Sequence, residues 1–309
     1  MEYIFIVNPK SRSGRGGVVW KLVEPELKKR RIEYQVFYTR HVRHAAEITA
    51  GITADGREHT LVVVGGDGTV DEVVNGIRDC SKVTLGYIPT GSGNDFTRAL
   101  HLPSDTRGAL DTILDSGRPV PMDVGRLDCG ESAWRFAVSA GIGFDAAVCH
   151  KAEGSSIKTV LNKLGLGKLT YLVTALKWIL SERPEEAELR IEGEYIRRFE
   201  HTYFIAAMNH PYEGGGFFFC PKARIDDRLL DVIVVSELPK WKILLLLPTA
   251  FFGKHVRFRG ISIFRCREIE VKTGKRLPIH TDGEPIAWGD TIRASLEPEQ
   301  IRVIAPPQE

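Results

Sequence analysis

The stretch LVVVGGDGTVDEVVNGI, residues 61–77, joins a short apolar run to three glycines around one aspartate. Leu61–Val64 has the length and composition of a buried strand, and the residues after Gly68 place apolar side chains on one helix face: Val70, Val73, Val74 and Ile77. Glycine lets backbone approach a ligand closely, and the start of a helix offers free N–H groups and the positive end of a dipole. The stretch therefore predicts a strand, a ligand-binding turn over residues 65–69 and a helix.

The same alternation of strand and helix extends over the first 120 residues. The apolar patterns predict strands at Tyr3–Val7, Ile32–Tyr38, Leu61–Val64 and Val83–Ile88, and further helices at Val18–Leu27 and His44–Ile52. Strands that alternate with helices at this spacing form a parallel sheet through right-handed crossovers. We therefore expect an α/β domain over residues 1–122.

After Pro121 the sequence changes to short alternating segments. They predict strands at Trp134–Ala140, Glu188–Ile191, Tyr203–Met208, Leu230–Val235, Ile261–Val271 and Ile292–Leu296. Two helical stretches interrupt them, Lys158–Leu180 and Lys240–Gly253. The GRPVP stretch breaks any helix near Val120–Asp123, so we expect a second domain, an antiparallel β-sandwich, over residues 123–296.

Three predicted strand ends of the first domain carry loops of small residues. They are NPKSRSGRGG (8–17), GGDGT (65–69) and TGSGND (90–95), and each stands just before a helix. Ligands of open α/β sheets bind beyond the carboxyl ends of the strands. Hydroxyl and basic side chains in these loops suit phosphate: Ser11, Ser13, Thr69, Ser92, Lys10, Arg12 and Arg15. No GxxxxGK[ST] motif occurs, so the predicted phosphate site is not a P-loop.

Asp67 stands among the backbone amides that would bind this phosphate. A carboxylate there repels the ligand unless a divalent cation lies between them, and Mg²⁺ held by carboxylate and phosphate oxygens meets that need. The alternative is that Asp67 only caps the following helix. Nucleotide with Mg²⁺ is the interpretation we prefer.

Composition and charge exclude several classes of protein. Of the 309 residues, 43% are hydrophobic and 27% charged, as in a folded globular chain. The 42 basic and 40 acidic residues nearly cancel, so we expect no nucleic-acid partner. The five cysteines lack metal-ligand spacing and fit reduced thiols in a cytoplasmic protein. No apolar run is long enough to span a bilayer, and MEYIFIVNPK lacks the basic start of a signal peptide.

Four motifs resemble those of the diacylglycerol kinase catalytic-domain family, most closely its soluble bacterial lipid-kinase branch, which is similar to sphingosine kinases. They are NPKSRSGRG (8–16), GGDGTVDEVVNG (65–76), IPTGSGNDFTRAL (88–100) and TDGEP (281–285). The resemblance runs from Tyr3 to about Val303. It implies an ATP-dependent lipid kinase with a phosphofructokinase-like nucleotide domain, a β-sandwich domain and an active site in the cleft between them. It also implies that the last residues, 297–309, return to the first domain.

The resemblance also implies site residues. With Lys10, which supplies charge in the first loop, the ATP contacts would be Asn8, Ser11, Ser13, Thr39, Gly65, Gly66, Asp67, Gly68, Thr69, Asp71 and Ser92. The lipid contacts would be Asn94, Asp95 and Asp123, and Asp95 favours a diacylglycerol-like substrate.

Glu284 of the DGE motif would be the general base, acting with Asp67 in catalysis. On spacing alone, the same Asp-Gly pair indicates a hairpin turn. A structural Mg²⁺ site would fall on Arg224, Asp227 and Leu229, although Arg228 stands where many relatives have glycine.

Two stretches combine apolar, aromatic and basic residues in the manner of membrane-surface segments. They are SSIKTVLNKLGLGKLT (155–170), with Lys158, Lys163 and Lys168, and PKWKILLLLPTAFFGKHVRFRG (239–260), whose apolar centre is flanked by Trp241, Lys242, Lys254, Arg257 and Arg259. Buried helices with solvated ends are the alternative for both. We expect a cytoplasmic protein that associates peripherally with the inner face of the membrane, with a diacylglycerol-like lipid and a transient anionic membrane surface as partners.

Other functions stay open at this point. They are a kinase for a sphingoid base, monoacylglycerol or phosphatidylglycerol, an NAD kinase, whose superfamily shares the GGDGT turn, and a lipid or nucleotide sensor without catalysis. NPKSRSGRG and TGSGND speak against NAD kinase, and the intact Asp67 and Glu284 speak against a sensor. The glycines of HPYEGGGFFF (210–219) fit a bulge or a close approach to a ligand, and a monomer and a homodimer are both compatible with the sequence.

Overall fold

The structure is a computed structural model that describes residues 2–91, 95–143 and 183–307. The chain divides into two compact units, the first with Met1–Val124 and Glu297–Glu309 and the second with Gly125–Leu296. The predicted helix Lys158–Leu180 lies outside the described residues. So do the lysines of the 155–170 stretch and the predicted site residues Ser92 and Asn94.

A six-stranded sheet forms the centre of the first unit. Its elements are β1 (Tyr3–Val7), α1 (Ser11–Lys29), β2 (Tyr34–Tyr38), α2 (His44–Ile52), β3 (His59–Gly65), α3 (Asp67–Gly76), β4 (Val83–Pro89), α4 (Asp95–Ala99), α5 (Thr106–Asp111), β5 (Arg118–Met122) and, at the end of the chain, β15 (Ile301–Ala305). The order in the sheet is β2-β1-β3-β4-β15-β5, with only the β15–β5 pair antiparallel. The parallel α/β organisation predicted from the sequence is confirmed. Because β1, β3 and β4 are parallel neighbours, the loops that follow them leave the same edge of the sheet.

Helix α1 covers one face of this sheet. Trp20 and Leu27 of α1 pack with Phe5, Val62 and Val64 of the central strands in one buried cluster. The ring centroids of Phe5 and Trp20 lie 5.2 Å apart. Burial of these side chains removes apolar surface from water and stabilises the packing of α1 on the sheet.

Antiparallel strands form the second unit. Its elements within the described residues are β6 (Gly125–Cys129), β7 (Ser132–Phe136), β8 (Ser139–Gly143), β9 (Glu185–Ile191), β10 (Glu194–Met208), β11 (Leu230–Ser236), α6 (Lys240–Ala250), β12 (Ile261–Cys266), β13 (Glu268–Thr281) and β14 (Glu284–Leu296). The strand order is β12-β11-β10-β8-β13-β14-β6-β7, and β9 pairs with both β10 and β13. The two long strands β10 and β13 are thus bridged twice, by β9 along one half and by β8 along the other. Side chains from all nine strands share one buried core, as the predicted sandwich requires.

A second apolar cluster lies on the other face of β10 and β11, where α6 packs. Ile243 and Leu246 of α6 contact Phe204 and Ile233 of the two strands. The predicted helix Lys240–Gly253 is therefore present but ends at Ala250. In the described part of the chain, no helix has both the length and the hydropathy that a bilayer crossing needs.

Two predicted strands of the second unit are wrong in extent, because each is divided in two. Trp134–Ala140 is split between β7 and β8, since the N–H groups of Ala137 and Val138 donate to the carboxylate of Asp282 and not to a neighbouring strand. Ile261–Val271 is split between β12, which pairs with β11, and β13, which pairs with β9. Because these partners are distant in sequence, the alternation of apolar residues does not show where one strand ends and the next begins.

His210 follows β10 as a fully buried histidine of the second unit. Its backbone N–H donates to the carbonyl of Val138 at 3.2 Å. Burial disfavours the charged imidazolium and lowers the pKa of His210 from 6.5 to about 3. As pH falls, the unfolded chain takes up this proton before the folded chain does. Stability is therefore lost between pH 6.5 and about 3.

We expect H210Q to remove this part of the acid sensitivity. Between pH 6.5 and pH 5 the wild-type free energy of unfolding should fall by about 1.6 kcal/mol more than that of H210Q, because the unfolded histidine passes from half to almost fully protonated while the folded one stays neutral, and a full proton is worth about 1.4 kcal/mol per pH unit. Urea unfolding followed by circular dichroism at both pH values measures the difference. H41Q, which replaces an exposed histidine, is the control and should behave as wild type. Equal pH slopes in wild type and H210Q would contradict the assignment.

Candidate functional site

Hydrogen bonds tie the three glycine-rich loops of the first unit together. Asn8 Nδ2 donates to Thr69 Oγ1 at 3.1 Å, and the hydroxyl oxygens of Ser11 and Thr90 lie 2.7 Å apart. The backbone N–H of Thr90 donates to the carbonyl of Gly65 at 2.8 Å. The loops after β1, β3 and β4 thus form one continuous surface at the carboxyl edge of the sheet.

The first loop has a left-handed backbone. Arg12, Ser13 and Gly14 have φ values of 43°, 57° and 97° and interrupt α1 directly after its first residue. The sequence predicted a helix only from Val18; the helix begins earlier, and this strained turn lies within it. Left-handed backbone costs about 1–2 kcal/mol for a residue with a side chain, and such strain is typical of functional sites. The loop also needs Gly16, because a Cβ there would lie 2.0 Å from the carbonyl oxygen of Asn8.

Asp67 lies in the first turn of α3, near the buried hydroxyl of Tyr87. Burial raises the pKa of Tyr87 well above its usual value, and the carboxylates of Asp67 and Asp95 raise it further. Tyr87 therefore keeps its proton, and its hydroxyl lies 3.3 Å from the carbonyl oxygen of Gly65, to which it donates, and hydrogen-bonds to Asp67. Asp67 Oδ1 is shielded from solvent. The Asp67 carboxylate beside the phosphate-type loops is an oxygen donor of the kind that fits a hard divalent cation such as Mg²⁺, whereas the charge of Asp95 is balanced by Arg98.

The other predicted nucleotide contacts lie on the same loops or beside them. Lys10 and Ser13 of the first loop are exposed. Gly66, Gly68 and Asp71, in the second loop and the first half of α3, are half-buried. Thr39 follows β2 and is almost buried, and its N–H donates to the carbonyl of Val7 at 2.9 Å. A Cβ on Gly66 would lie 3.5 Å from Cα of Gly91, so the second and third loops are in contact there.

The predicted lipid contacts have internal partners. Asp95 begins α4, is 7% exposed and pairs with Arg98 at 2.9 Å. Asp123 is fully buried and accepts a hydrogen bond from Gln300 Nε2 at 3.0 Å. It follows β5 in the first unit, whereas the sequence placed it at the start of the second domain.

The DGE motif forms a tight hairpin between β13 and β14. Thr281 pairs with Glu284 across Asp282 and Gly283, whose φ values of 49° and 80° indicate a type I′ turn. The carboxylate of Asp282 accepts the N–H groups of residues 137–139 at 2.7–2.9 Å. Removal of this carboxylate from water raises the pKa of Asp282, while the three N–H groups oppose the shift. The turn is fixed by backbone geometry and by a side-chain anchor, and Glu284 is half-buried beside it.

A buried histidine and glutamate support the same hairpin from inside. The N–H of Gly283 donates to His280 Nδ1 at 3.2 Å, so the proton of a neutral His280 ring is on Nε2. Nε2 lies 3.4 Å from Glu213 Oε1. Both side chains are almost completely buried. The EGGG segment, which the sequence left as a bulge or a ligand contact, thus contributes a residue that holds the DGE turn.

The predicted structural metal site is less suitable for a cation. Asp227 forms an ion pair with Arg265 and also accepts the N–H of Leu229 at 3.1 Å, while Arg224 pairs with Asp226 at 3.2 Å. Arg228 has a φ of 61°, the conformation that a glycine at this position would adopt without strain. Since Arg265 already balances the charge of Asp227, these residues fit a metal poorly, and we derive no step through a metal there.

Several site residues escaped the sequence analysis. Thr90 lies two residues after the predicted strand Val83–Ile88 and carries a hydroxyl, so its place at the start of the TGSGND loop could have identified it. Tyr87 lies inside an apolar strand, where a buried phenol needs a hydrogen-bond partner. The pairing of His280 with Glu213 had no sequence signal, because 66 residues separate them.

Comparison with known proteins identifies the class to which this fold and site belong. Residues 2–127 match the diacylglycerol kinase catalytic domain, and residues 137–305 match the YegS C-terminal NAD kinase beta sandwich-like domain. The chain is 32% identical over 309 residues to the Bacillus subtilis (strain 168) protein named "Putative lipid kinase YtlR", covering 98% of this chain and 99% of that one. The chain therefore belongs to the diacylglycerol kinase-like, YegS-like family of lipid kinases, and membership implies the use of ATP.

Solved structures share the fold at lower identity. A crystal structure described as a putative diacylglycerol kinase from Bacillus anthracis str. Sterne has a TM-score of 0.78 and 22% identity, covering 99% of this chain and 95% of that one. An NAD kinase from Archaeoglobus fulgidus, crystallised with ATP, has a TM-score of 0.52 and 13% identity over 99% of this chain and 94% of that one. These likenesses concern the fold alone.

The strain in the first loop can be tested through stability. We expect S13G to stabilise the protein by roughly 1 kcal/mol, because glycine adopts a positive φ without the cost that serine bears. Thermal unfolding compares S13G with wild type. S132G, which places glycine at an exposed position of β7, is the control and should destabilise by about 0.5–1 kcal/mol. If both variants lost stability equally, the loop would not be strained at Ser13.

Proposed function

We propose that this protein is an ATP-dependent diacylglycerol kinase, which transfers the γ-phosphate of ATP to the free hydroxyl of a diacylglycerol-like lipid and releases ADP. The observation that carries the proposal is the joining of three phosphate-type loops by the Asn8–Thr69 and Ser11–Thr90 contacts beside Asp67. The match to the diacylglycerol kinase catalytic domain supports the same reaction.

The nucleotide would bind on the first unit. The left-handed turn at Arg12–Gly14 and the start of α3 present backbone N–H groups, which suit phosphate oxygens. Lys10, Arg12 and Ser13 are exposed in the same loop and add charge and a hydroxyl. The phosphates would thus be held mainly by backbone, which places them without long flexible side chains.

Asp67 would hold Mg²⁺ together with the phosphates of ATP. When bound, the ion neutralises charge that develops as the phosphoryl group is transferred. Tyr87 keeps its proton and steadies Asp67 with a hydrogen bond. Phosphoryl transfer asks the protein for alignment and electrostatic stabilisation, and these residues supply both.

Glu284 would accept the proton of the lipid hydroxyl as its oxygen attacks the γ-phosphorus and the bond to the ADP oxygen breaks. The carboxylate of a general base must be held within hydrogen-bond reach of that proton. Asp282, His280 and Glu213 position the turn that carries Glu284, through the N–H groups of residues 137–139 and of Gly283.

Diacylglycerol is the proposed substrate, and a bilayer leaflet is where the enzyme meets it. Asp95 supports this choice through the family resemblance, and we place the protein in the cytoplasm, associated peripherally with the inner face of the membrane. A substrate panel with Mg-ATP and radiolabelled γ-phosphate tests the substrate class: diacylglycerol, monoacylglycerol, sphingosine, ceramide, phosphatidylglycerol and NAD. Label transfer to diacylglycerol at the highest kcat/KM is the expected result, and transfer to NAD alone would replace the proposal with NAD kinase.

The role of Glu284 predicts a particular kinetic change. E284Q should lower kcat by roughly 10²–10⁴-fold, because it removes the proton acceptor, while the KM for ATP changes little. Steady-state kinetics with diacylglycerol in mixed micelles measures both constants. E200Q, an exposed glutamate of β10, is the matched control and should keep wild-type kinetics. A rise in KM with unchanged kcat would show that Glu284 serves binding.

The role of Asp67 predicts a loss of magnesium dependence in nucleotide binding. Calorimetry of ADP binding with Mg²⁺ and with EDTA should show tighter binding with the metal for wild type, and D67N should lose most of that difference. D79N, which changes an exposed carboxylate of the same unit, should keep it. If D67N retained the full Mg²⁺ effect, another residue would hold the ion.

A further inference from the structure

Helix α6 is apolar on two opposite faces, although only one of them is covered. Ile243, Leu246 and Ala250 are buried against the sheet of the second unit. Trp241, Leu245 and Pro248 recur at intervals of four and three residues, which places them along one line of the helix, and Phe252 follows just beyond its end. A surface helix normally carries polar residues on the face opposite its core contacts, and α6 does not.

The second line of α6 is open to solvent. Trp241 is 63% exposed, Leu245 67% and Phe252 72%. Phe251 and Phe258, which follow the end of the helix, are also exposed, by 41% and 39%. We call these residues, together with Lys254, Arg257 and Arg259, the aromatic face. Several large apolar side chains left exposed in one segment are typical of an interaction site in soluble proteins.

Charge on the aromatic face has one sign. Lys254, Arg257 and Arg259 are exposed, and no acidic residue occurs between Lys240 and Gly260. A segment whose exposed side chains are apolar or cationic complements a layer that is apolar inside and anionic outside. Two copies of the face would bring like charges together, which disfavours a self-associating interface.

We propose that the aromatic face is the surface by which this protein docks on an anionic membrane leaflet. Trp241, Leu245 and Phe252 would enter the boundary between headgroups and acyl chains, and the three cations would lie at the level of the lipid phosphates. The proposal rests on the proposed function in one respect, since the leaflet is where a diacylglycerol substrate resides.

The aromatic face is also joined to the turn that bears Glu284. The ring of Phe251 stacks on Phe217 with centroids 4.2 Å apart. Phe217 forms a two-bond backbone bridge with Glu213, both bonds measuring 3.0 Å, and Glu213 contacts His280 behind the DGE turn. The docking surface and the proposed general base therefore belong to one continuously packed region of the second unit.

Vesicle flotation without nucleotide tests the docking surface. Wild type should bind phosphatidylglycerol–phosphatidylcholine vesicles and bind pure phosphatidylcholine much less. W241S/F252S should weaken binding to the anionic vesicles by at least about tenfold, because two aromatic side chains no longer leave water. K254Q/R257Q/R259Q should weaken it on the order of 100-fold at low salt. V18S/L22S removes side chains that are 60% and 63% exposed on α1 and should bind as wild type.

A second measurement avoids the loss of aromatic residues. Brominated phosphatidylglycerol should quench the tryptophan emission of wild type more strongly than that of W241F, because only the former carries an indole on the docking surface. Equal quenching, or undiminished vesicle binding by W241S/F252S, would overturn the proposal. So would a wild-type dimer that W241S/F252S converts to monomer without any vesicle binding, since the occupant would then be a second copy.

The docking proposal and the proposed function can fail separately. Vesicle binding as described, with no lipid phosphorylated from the substrate panel, would support the docking surface and remove the kinase proposal. Phosphorylation of vesicle-borne diacylglycerol at equal rates by wild type and W241S/F252S would overturn the docking surface and leave the kinase. The expected result is a lower rate for W241S/F252S on vesicles and a wild-type rate on short-chain, soluble diacylglycerol.

Discussion

The hydrogen bond from Asn8 to Thr69 joins the loop after β1 to the turn after β3, and the candidate nucleotide site depends on that junction. It forms because the two strands are parallel neighbours, so their carboxyl ends lie side by side. Gly65 makes it sterically possible, since a Cβ there would lie 2.6 Å from the side chain of Thr69. Together with the Ser11–Thr90 contact, such bonds contribute about 1–3 kcal/mol. The left-handed residues of the first loop cost about 2–4 kcal/mol. The two free energies are of similar size and opposite sign, so they nearly cancel. A bound anion would stabilise the loop in the conformation that it already has.

Much of the first unit could be predicted from sequence because its rules are local. The apolar runs at Tyr3–Val7 and Leu61–Val64 are buried on both faces, and such strands show as continuous hydrophobic stretches. The glycines of residues 65–68 predicted the turn after β3, because a tight turn directly before a helix favours glycine. The conformation of Arg12 and Ser13 was not readable, since neither residue favours a positive φ. In the same loop Gly16 lies against the carbonyl oxygen of Asn8, a close approach that appears only in three dimensions.

The second unit was harder to predict because its decisive contacts join distant residues. Alternation located β11 and α6 well, yet it merged β7 with β8. That error has one cause: Asp282 takes the N–H groups of residues 137–139, and the strand must bend to offer them. The Asp-Gly pair was readable as a hairpin turn, and it is one. Its anchoring through Asp282, His280 and Glu213 explains why a plain turn signal and a proposed catalytic position coincide in the same four residues.

Helix α6 shows how a sequence pattern can carry two requirements at once. In the run ILLLL at residues 243–247, Ile243 and Leu246 pack against β10 and β11, and these two contacts would suffice to attach the helix to the sheet. Leu245 and Phe252 are unnecessary for that purpose and leave apolar surface in water, where each costs solvation free energy in the free protein. Selection for stability alone would replace them with charged residues, as on most exposed helix faces. An anionic leaflet is an environment in which the same side chains become favourable, and the cations that border them set the sign of its charge.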